Sequence, residues 1–173
     1  MRWARLSLVF LSAMAPLLGA AGPLPEGSVF PAWELVDQFG RKVSSKELAG
    51  KTYLIWFYPK AGTPGCTKEG CELRDNFEEF KKLGVQVVGV SFDTPEENAA
   101  FAARHRFPFP LLSDSRRELA VKVGAADTPE QGYPRRISYL VGADGRVLKV
   151  YPQVNPERHA REVLADLHAL AGK

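Results

Sequence analysis

Thr52-Tyr-Leu-Ile-Trp-Phe-Tyr58 is β-branched and aromatic and shows no polar alternation after Thr52. A strand with one wet face alternates apolar with polar residues, so this run suits a strand covered on both sides. Val85-Gln-Val-Val-Gly-Val-Ser-Phe92 is a second run of the same kind. Two strands buried on both faces need helices above and below them, and helical stretches alternate with these strands along the chain. Cys66 to Leu83 carries Leu73, Phe77 and Phe80 at the spacing of one buried helix face and stops at Gly84. Thr94-Pro-Glu-Glu97 opens a helix to about Arg106, with a capping hydroxyl, proline in the first turn and acids at the positive end of the dipole.

The remaining elements are shorter. Trp33 to Val36 and Arg41 to Val43 flank Asp37-Gln-Phe-Gly40 as a small hairpin, and Ser45 is placed to cap a short helix through Leu48. Phe109 to Leu112 reads as a strand, Ser115 to Val123 as a helix and Gly124 to Pro134 as a long loop. Arg136 to Val141 and Arg146 to Tyr151 bracket Ala143-Asp-Gly145 as a second hairpin, and Asn155-Pro-Glu157 opens the last helix. Strands alternating with helices give an α/β fold, and the late hairpin makes its central sheet mixed. This order resembles a thioredoxin-like fold, which by itself names no function.

Composition narrows the class. With 173 residues, 45% of them hydrophobic, the chain can bury a core without metal or disulfide. Of the net charge of +3, Arg2 and Arg5 supply two units, and no basic run exceeds two residues, so a nucleic-acid partner is not indicated. Arg2 and Arg5 flank the apolar stretch Leu6 to Leu18, and small residues follow from Gly19 to Gly22. That is the layout of a secretory signal. The stretch is broken by Ser7, Ser12 and Pro16 and is shorter than the ~20 residues a membrane-spanning helix needs. The expected division is a signal peptide over 1–21, no stable membrane insertion once it is cleaved, and one exported domain over 22–173.

The bend between the first buried strand and the helix after it holds the chemistry. Tyr58-Pro-Lys-Ala-Gly-Thr-Pro-Gly-Cys-Thr-Lys-Glu-Gly-Cys71 leaves a strand end and enters a helix whose first turn contains Cys66. Unpaired N–H groups and the positive end of the helix dipole converge there. They favour an anion, and for a cysteine the anion is the thiolate, the nucleophilic form. Cys71 follows five residues later, a helical Cα separation of roughly 8.7 Å, beyond the ~7 Å over which a disulfide closes. The pair is poorly placed for a permanent staple and workable for a transient bridge formed as the first turns unwind. Gly70 weakens the helix there by roughly 0.5–1 kcal/mol relative to alanine. Thr63 can aim its hydroxyl at whatever approaches the sulfur, Pro59 and Pro64 restrict the bend, and Arg135 and Arg136 are both candidates for a fixed cation opposite the helix.

Tyr58-Pro-Lys60, Thr63-Pro-Gly-Cys-Thr67 and Cys71 resemble the peroxiredoxins, in the bacterioferritin comigratory protein or peroxiredoxin Q branch. Arg74-Asp75, Leu111-Leu-Ser-Asp114, Arg136 to Val141 and Ala143-Asp-Gly145 extend the likeness from about Phe30 to the last helix. Ala61-Gly62 and Gly142 depart from residues frequent in that branch, and an export signal is unusual in it. The resemblance implies that Pro59, Thr63, Cys66 and Arg136 form the catalytic group, with Cys66 peroxidatic and Cys71 resolving. It implies reduction of hydrogen peroxide and organic hydroperoxides through a sulfenic acid and a Cys66–Cys71 disulfide, recycled by a thioredoxin-like dithiol. No metal, flavin or haem is required, and relatives are often monomers.

Competing assignments predict different behaviour. A structural disulfide would leave both thiols permanently oxidised. A metal site would have to draw on the cysteines with His105, His159 and His168, of which the last two are expected on solvated faces of the final helix. Exported thioredoxin-fold proteins that exchange disulfides or carry copper favour cysteines two or three residues apart. Trp33, Trp56, Tyr58 and Phe92 are expected in the core, with Tyr58 or a neighbouring Phe the candidates to line the substrate pocket as well, and Glu78-Glu79, Lys81-Lys82 and Arg116-Arg117 on solvated surface.

Overall fold

A computed structural model describes residues 22–172, and the expected export segment over 1–21 lies outside them. Seven strands form one mixed sheet: β1 (Glu34–Asp37), β2 (Lys42–Ser44), β3 (Tyr53–Phe57), β4 (Gln86–Ser91), β5 (Leu111–Ser113), β6 (Ile137–Val141) and β7 (Val147–Tyr151). Their order is β2-β1-β5-β4-β3-β6-β7. β3 runs parallel to β4 and antiparallel to β6, with Phe57 opposite Val90 and Ile137. The helices are α1 (Pro64–Asp75), α2 (Phe77–Lys82), α3 (Pro95–His105), α4 (Glu118–Lys122) and α5 (His159–Ala171).

The apolar run of β3 is explained by what covers it. Leu54, Trp56 and Tyr58 face one core with Leu73 of α1, Phe80 of α2, Phe101 of α3 and Val163 of α5. Tyr53, Ile55 and Phe57 face a second core with Trp33, Leu119 of α4 and Val141 of β6. Successive residues of a strand point to opposite faces, so a strand between two cores has no position left for a polar side chain.

Several elements differ from the sequence reading for local reasons. The helix expected over Cys66 to Leu83 starts earlier, at Pro64, where the missing N–H costs nothing. It is also broken at Asn76, whose side chain donates to the Glu72 carbonyl at 2.8 Å and so competes with the helical ladder. Ser45 does not cap the turn through Leu48: its hydroxyl accepts from the Trp33 N–H at 3.2 Å, and Ser44 holds the cap position. α4 begins only at Glu118 because Arg117 adopts a left-handed conformation. The final helix begins at His159 after Asn155 closes its own turns, its side chain accepting from the Glu157 N–H at 3.0 Å.

Two surface expectations are corrected. His159 is fully buried, 2.9 Å from the Ser138 hydroxyl, with its ring edge-on to Tyr151; His168 is exposed as expected. Arg116 is solvated, but Arg117 donates to the Pro129 carbonyl at 2.8 Å and lays its guanidinium over Phe92, which is half-buried rather than core. Arg117 thereby fastens the Gly124–Pro134 loop.

Candidate active site

The chain leaves β3 at Phe57, and the Tyr58 N–H still donates to the Val90 carbonyl at 3.0 Å. The bend from the half-buried Pro59 to Thr63 is then tied down from the β4–α3 corner. The buried Asp93 accepts the Ala61 N–H at 2.8 Å and pairs with Lys60, which also reaches Glu97 at 2.7 Å. Beneath it the Tyr58 hydroxyl donates to Asn98 at 2.7 Å, fully buried, so Tyr58 supports the bend rather than lining a pocket. The Thr63 hydroxyl donates to the Lys60 carbonyl at 2.8 Å, which leaves its oxygen able to accept a hydrogen bond.

Cys66 occupies the first turn of α1 with its thiol buried. Arg136 lies one step beyond the Phe57–Ile137 pair, and its Nη2 donates to Cys66 Sγ at 3.3 Å. Arg135 instead donates to the Gly124 carbonyl at 2.9 Å and pairs with Asp127. The two arginines, between which the residues alone did not choose and of which the resemblance implies Arg136, thus have different partners.

Two participants were absent from the sequence reading. The carboxylate of Glu69 is fully buried and pairs with Arg136 Nη1, fixing the guanidinium plane that also faces the sulfur. Burial pushes the Glu69 carboxyl up to about 7, against the pull of Arg136. A signal was available: positions 66, 69, 70 and 73 share one helix face, and a carboxylate on a buried face calls for a cation. Gly65 is the second, since a Cβ there would stand 3.0 Å from Arg136 Nη2. Behind Arg136, burial and then the guanidinium charge push His159 down to about 4, so the ring is neutral.

Cys71 is half-buried and lies roughly 140° around the helix from Cys66. Its Sγ is 3.9 Å from Nδ1 of His105. Both cysteines are free thiols, and α1 is intact between them. Among the described residues no three His, Cys, Asp or Glu side chains gather as metal ligands. A groove of about 660 Å³ opens beside the first turn of α1, lined by Pro64, Gly65, Lys68, Val154, Asn155 and Glu157. Another, of about 400 Å³ between β1 and α4, contains no cysteine or histidine.

Comparison with known proteins gives the family. Residues 27–150 match the AhpC/TSA family. A chloroplastic peroxiredoxin Q of Sedum lineare is 40% identical over 164 residues, spanning 93% of this chain and 88% of that one. The crystal structure of peroxidoxin BcpB from Mycobacterium tuberculosis superposes with a TM-score of 0.77 at 34% identity, covering 83% of this chain and 96% of that one. A bacterioferritin comigratory protein of Xanthomonas campestris, described for its alkyl peroxide reduction activity, gives 0.73 at 32% identity over 80% and 92%. The chain belongs to the AhpC/TSA family and, within it, is a thioredoxin-fold peroxiredoxin of the peroxiredoxin Q/Bcp type.

Proposed function

We propose that this chain is an exported, monomeric peroxidase that reduces hydrogen peroxide and organic hydroperoxides through Cys66 and Cys71. The contact that supports this most directly is the one from Arg136 Nη2 to Cys66 Sγ at 3.3 Å, at a helix start whose first N–H groups lack intrahelical partners. A permanent cation beside the sulfur favours the thiolate. The thiolate attacks the nearer peroxide oxygen: an S–O bond forms, the O–O bond breaks, and the departing oxygen leaves as water or alcohol after taking a proton. Arg136 and the amides stabilise the charge growing on it, as an oxyanion hole does. Thr63 accepts the peroxide O–H and orients it, while Pro59 and the Asp93 tether keep the bend in place.

The resulting Cys66 sulfenic acid condenses with the Cys71 thiol, releasing water. An intact α1 holds the two sulfurs apart, so its first turns unwind for this step. A thioredoxin-like dithiol then restores both thiols by exchange. The open groove beside Gly65 leaves room for an organic substituent on the peroxide.

The test is stopped-flow peroxide reduction with mass spectrometry of the cysteine products. Wild type ends as a Cys66–Cys71 disulfide, Cys66→Ser consumes no peroxide, and Cys71→Ser performs one turnover and stops at the sulfenic acid. An active Cys66→Ser protein, or a wild type that never forms the disulfide, overturns the assignment.

A further inference from the structure

His105 and Arg74 both stand beside the Cys71 thiol, and of the two only His105, with Nδ1 3.9 Å from Sγ, can accept a proton. Its ring is held by an aromatic frame, stacked on Phe107 at 5.6 Å and 24° and edge-on to Phe101 at 5.3 Å and 76°. Its backbone is fixed as well, because Arg74 Nη1 donates to the His105 carbonyl at 2.7 Å. His105 is the last residue of α3, and the peroxide chemistry at Cys66 does not use it. We propose that His105 is the acid–base catalyst of disulfide formation, accepting the Cys71 thiol proton and so generating the attacking thiolate. This rests on the assignment of Cys71 as the resolving cysteine.

The charges around the ring fit an acceptor. From α1 it faces Cys71 and Arg74, whose guanidinium is shared with Asp75, and from α3 it neighbours Arg104. Burial first, then Arg104 and Arg74, lower the imidazole from its ordinary value, so it is neutral near pH 7. With the ring proton on Nε2, Nδ1 presents its lone pair to the thiol.

The step balances without an added oxidant. Nδ1 takes the thiol proton; the Cys71 sulfur forms a bond to the Cys66 sulfur; the S–O bond of the sulfenic acid breaks. The hydroxide leaves as water with the proton the imidazolium returns, directly or through solvent. The sulfenic sulfur is reduced and the Cys71 sulfur oxidised by the same amount. Proton transfer comes first, in the folded helix, since unwinding carries Cys71 away from the ring toward Cys66.

The experiment follows the two steps separately in His105→Gln and His105→Asn: Cys66 oxidation by stopped-flow, and conversion of sulfenic acid to disulfide by timed quench and mass spectrometry. The loss falls on the second step, slowed roughly 100-fold near pH 7, the scale of general-base catalysis. The wild-type rate of that step falls on acidification with the imidazole titration, whereas the variants lack this limb, and added imidazole restores part of their rate. Disulfide formation with wild-type rate and pH profile in either variant overturns the proposal. So does a wild-type profile without the imidazole limb, which keeps the test decisive even if both variants fold poorly. Failure of the underlying assignment looks different: no disulfide forms in any protein, wild type included.

Discussion

One helix carries two cysteines whose surroundings differ in burial and in whether a proton acceptor stands beside the sulfur. Cys66 is buried against a guanidinium from 70 residues away, which cannot surrender its proton and is itself anchored by the buried Glu69. Cys71 is half-buried beside Arg74 of its own helix and an imidazole from 34 residues away, a group that can take up and return a proton and lies 3.9 Å from the sulfur. A fixed cation suits a nucleophile that must be ionised in advance and stay where substrate arrives. A removable base suits a thiol that is activated on demand and then has to leave. The difference comes from tertiary partners, since both residues sit on the same α-helix.

Arg136→Ala breaks the Cys66 side of this comparison most severely. Removing one preorganised donor from an oxyanion site costs on the order of 10²–10³ in rate, so the rate constant for peroxide should fall by that factor. Disulfide formation from sulfenic acid already made should be little affected. Arg135→Ala should stay within a few-fold of wild type, because that side chain holds the loop at Gly124 and Asp127. A crippled Arg135→Ala protein beside an unimpaired Arg136→Ala protein would reverse the assignment.

Stability against pH separates the two buried ionisable groups behind that guanidinium. His159 is pushed from 6.5 down to about 4, so the folded chain binds fewer protons than the unfolded one between those values. Its contribution is whole above about pH 6.5 and is lost as the pH falls to about 4, a change of about 3 kcal/mol. Glu69 works in the opposite sense: pushed from 4.5 up to about 7, its contribution is whole below about 4.5 and is lost as the pH rises through 7. The slopes oppose each other where the windows overlap, so wild type should be nearly flat from pH 4.5 to 6.5 in denaturant unfolding. Glu69→Gln should expose a loss of stability on acidification, and His159→Gln a gain. Three parallel curves would show that neither group titrates as its burial dictates.

The strand–helix alternation, the two-sided burial of β3 and the place of the bend before α1 were legible because each is written in contiguous residues. Cys66, Thr63, Pro59 and Cys71 sit within one such stretch. What was not legible depended on register and on distant partners. Arg136 is separated from Arg135 by their partners, Cys66 and Glu69 for the one and the Gly124 carbonyl and Asp127 for the other. The burial of His159 follows from where α5 docks over Ser138, although its residue pattern suits a wet helix end equally well. The break at Asn76 turns on one side chain bonding its own helix backbone, which composition cannot reveal. Gly70 was legible as a glycine and misleading about its cause.

That cause sharpens the contrast between the cysteines. A Cβ on Gly70 would lie 2.5 Å from Cζ of Phe107, whose ring is stacked on Phe109 and His105. The missing methyl group is therefore the seat of the ring that frames the base beside Cys71, in addition to a weak point in α1. Gly70→Ala sets two effects against each other: about 1 kcal/mol gained in helix preference and roughly 1–3 kcal/mol lost by overpacking. Because the surrounding aromatics confine the ring, overpacking should win, lowering the melting temperature by about 2–4 °C. Adding Phe107→Leu should make room for the methyl and recover that loss. With α1 then stiffer between the cysteines, disulfide formation should slow a few-fold while peroxide reduction by Cys66 keeps its rate. A more stable Gly70→Ala single variant would mean that the ring yields freely and that Gly70 serves only to loosen the helix.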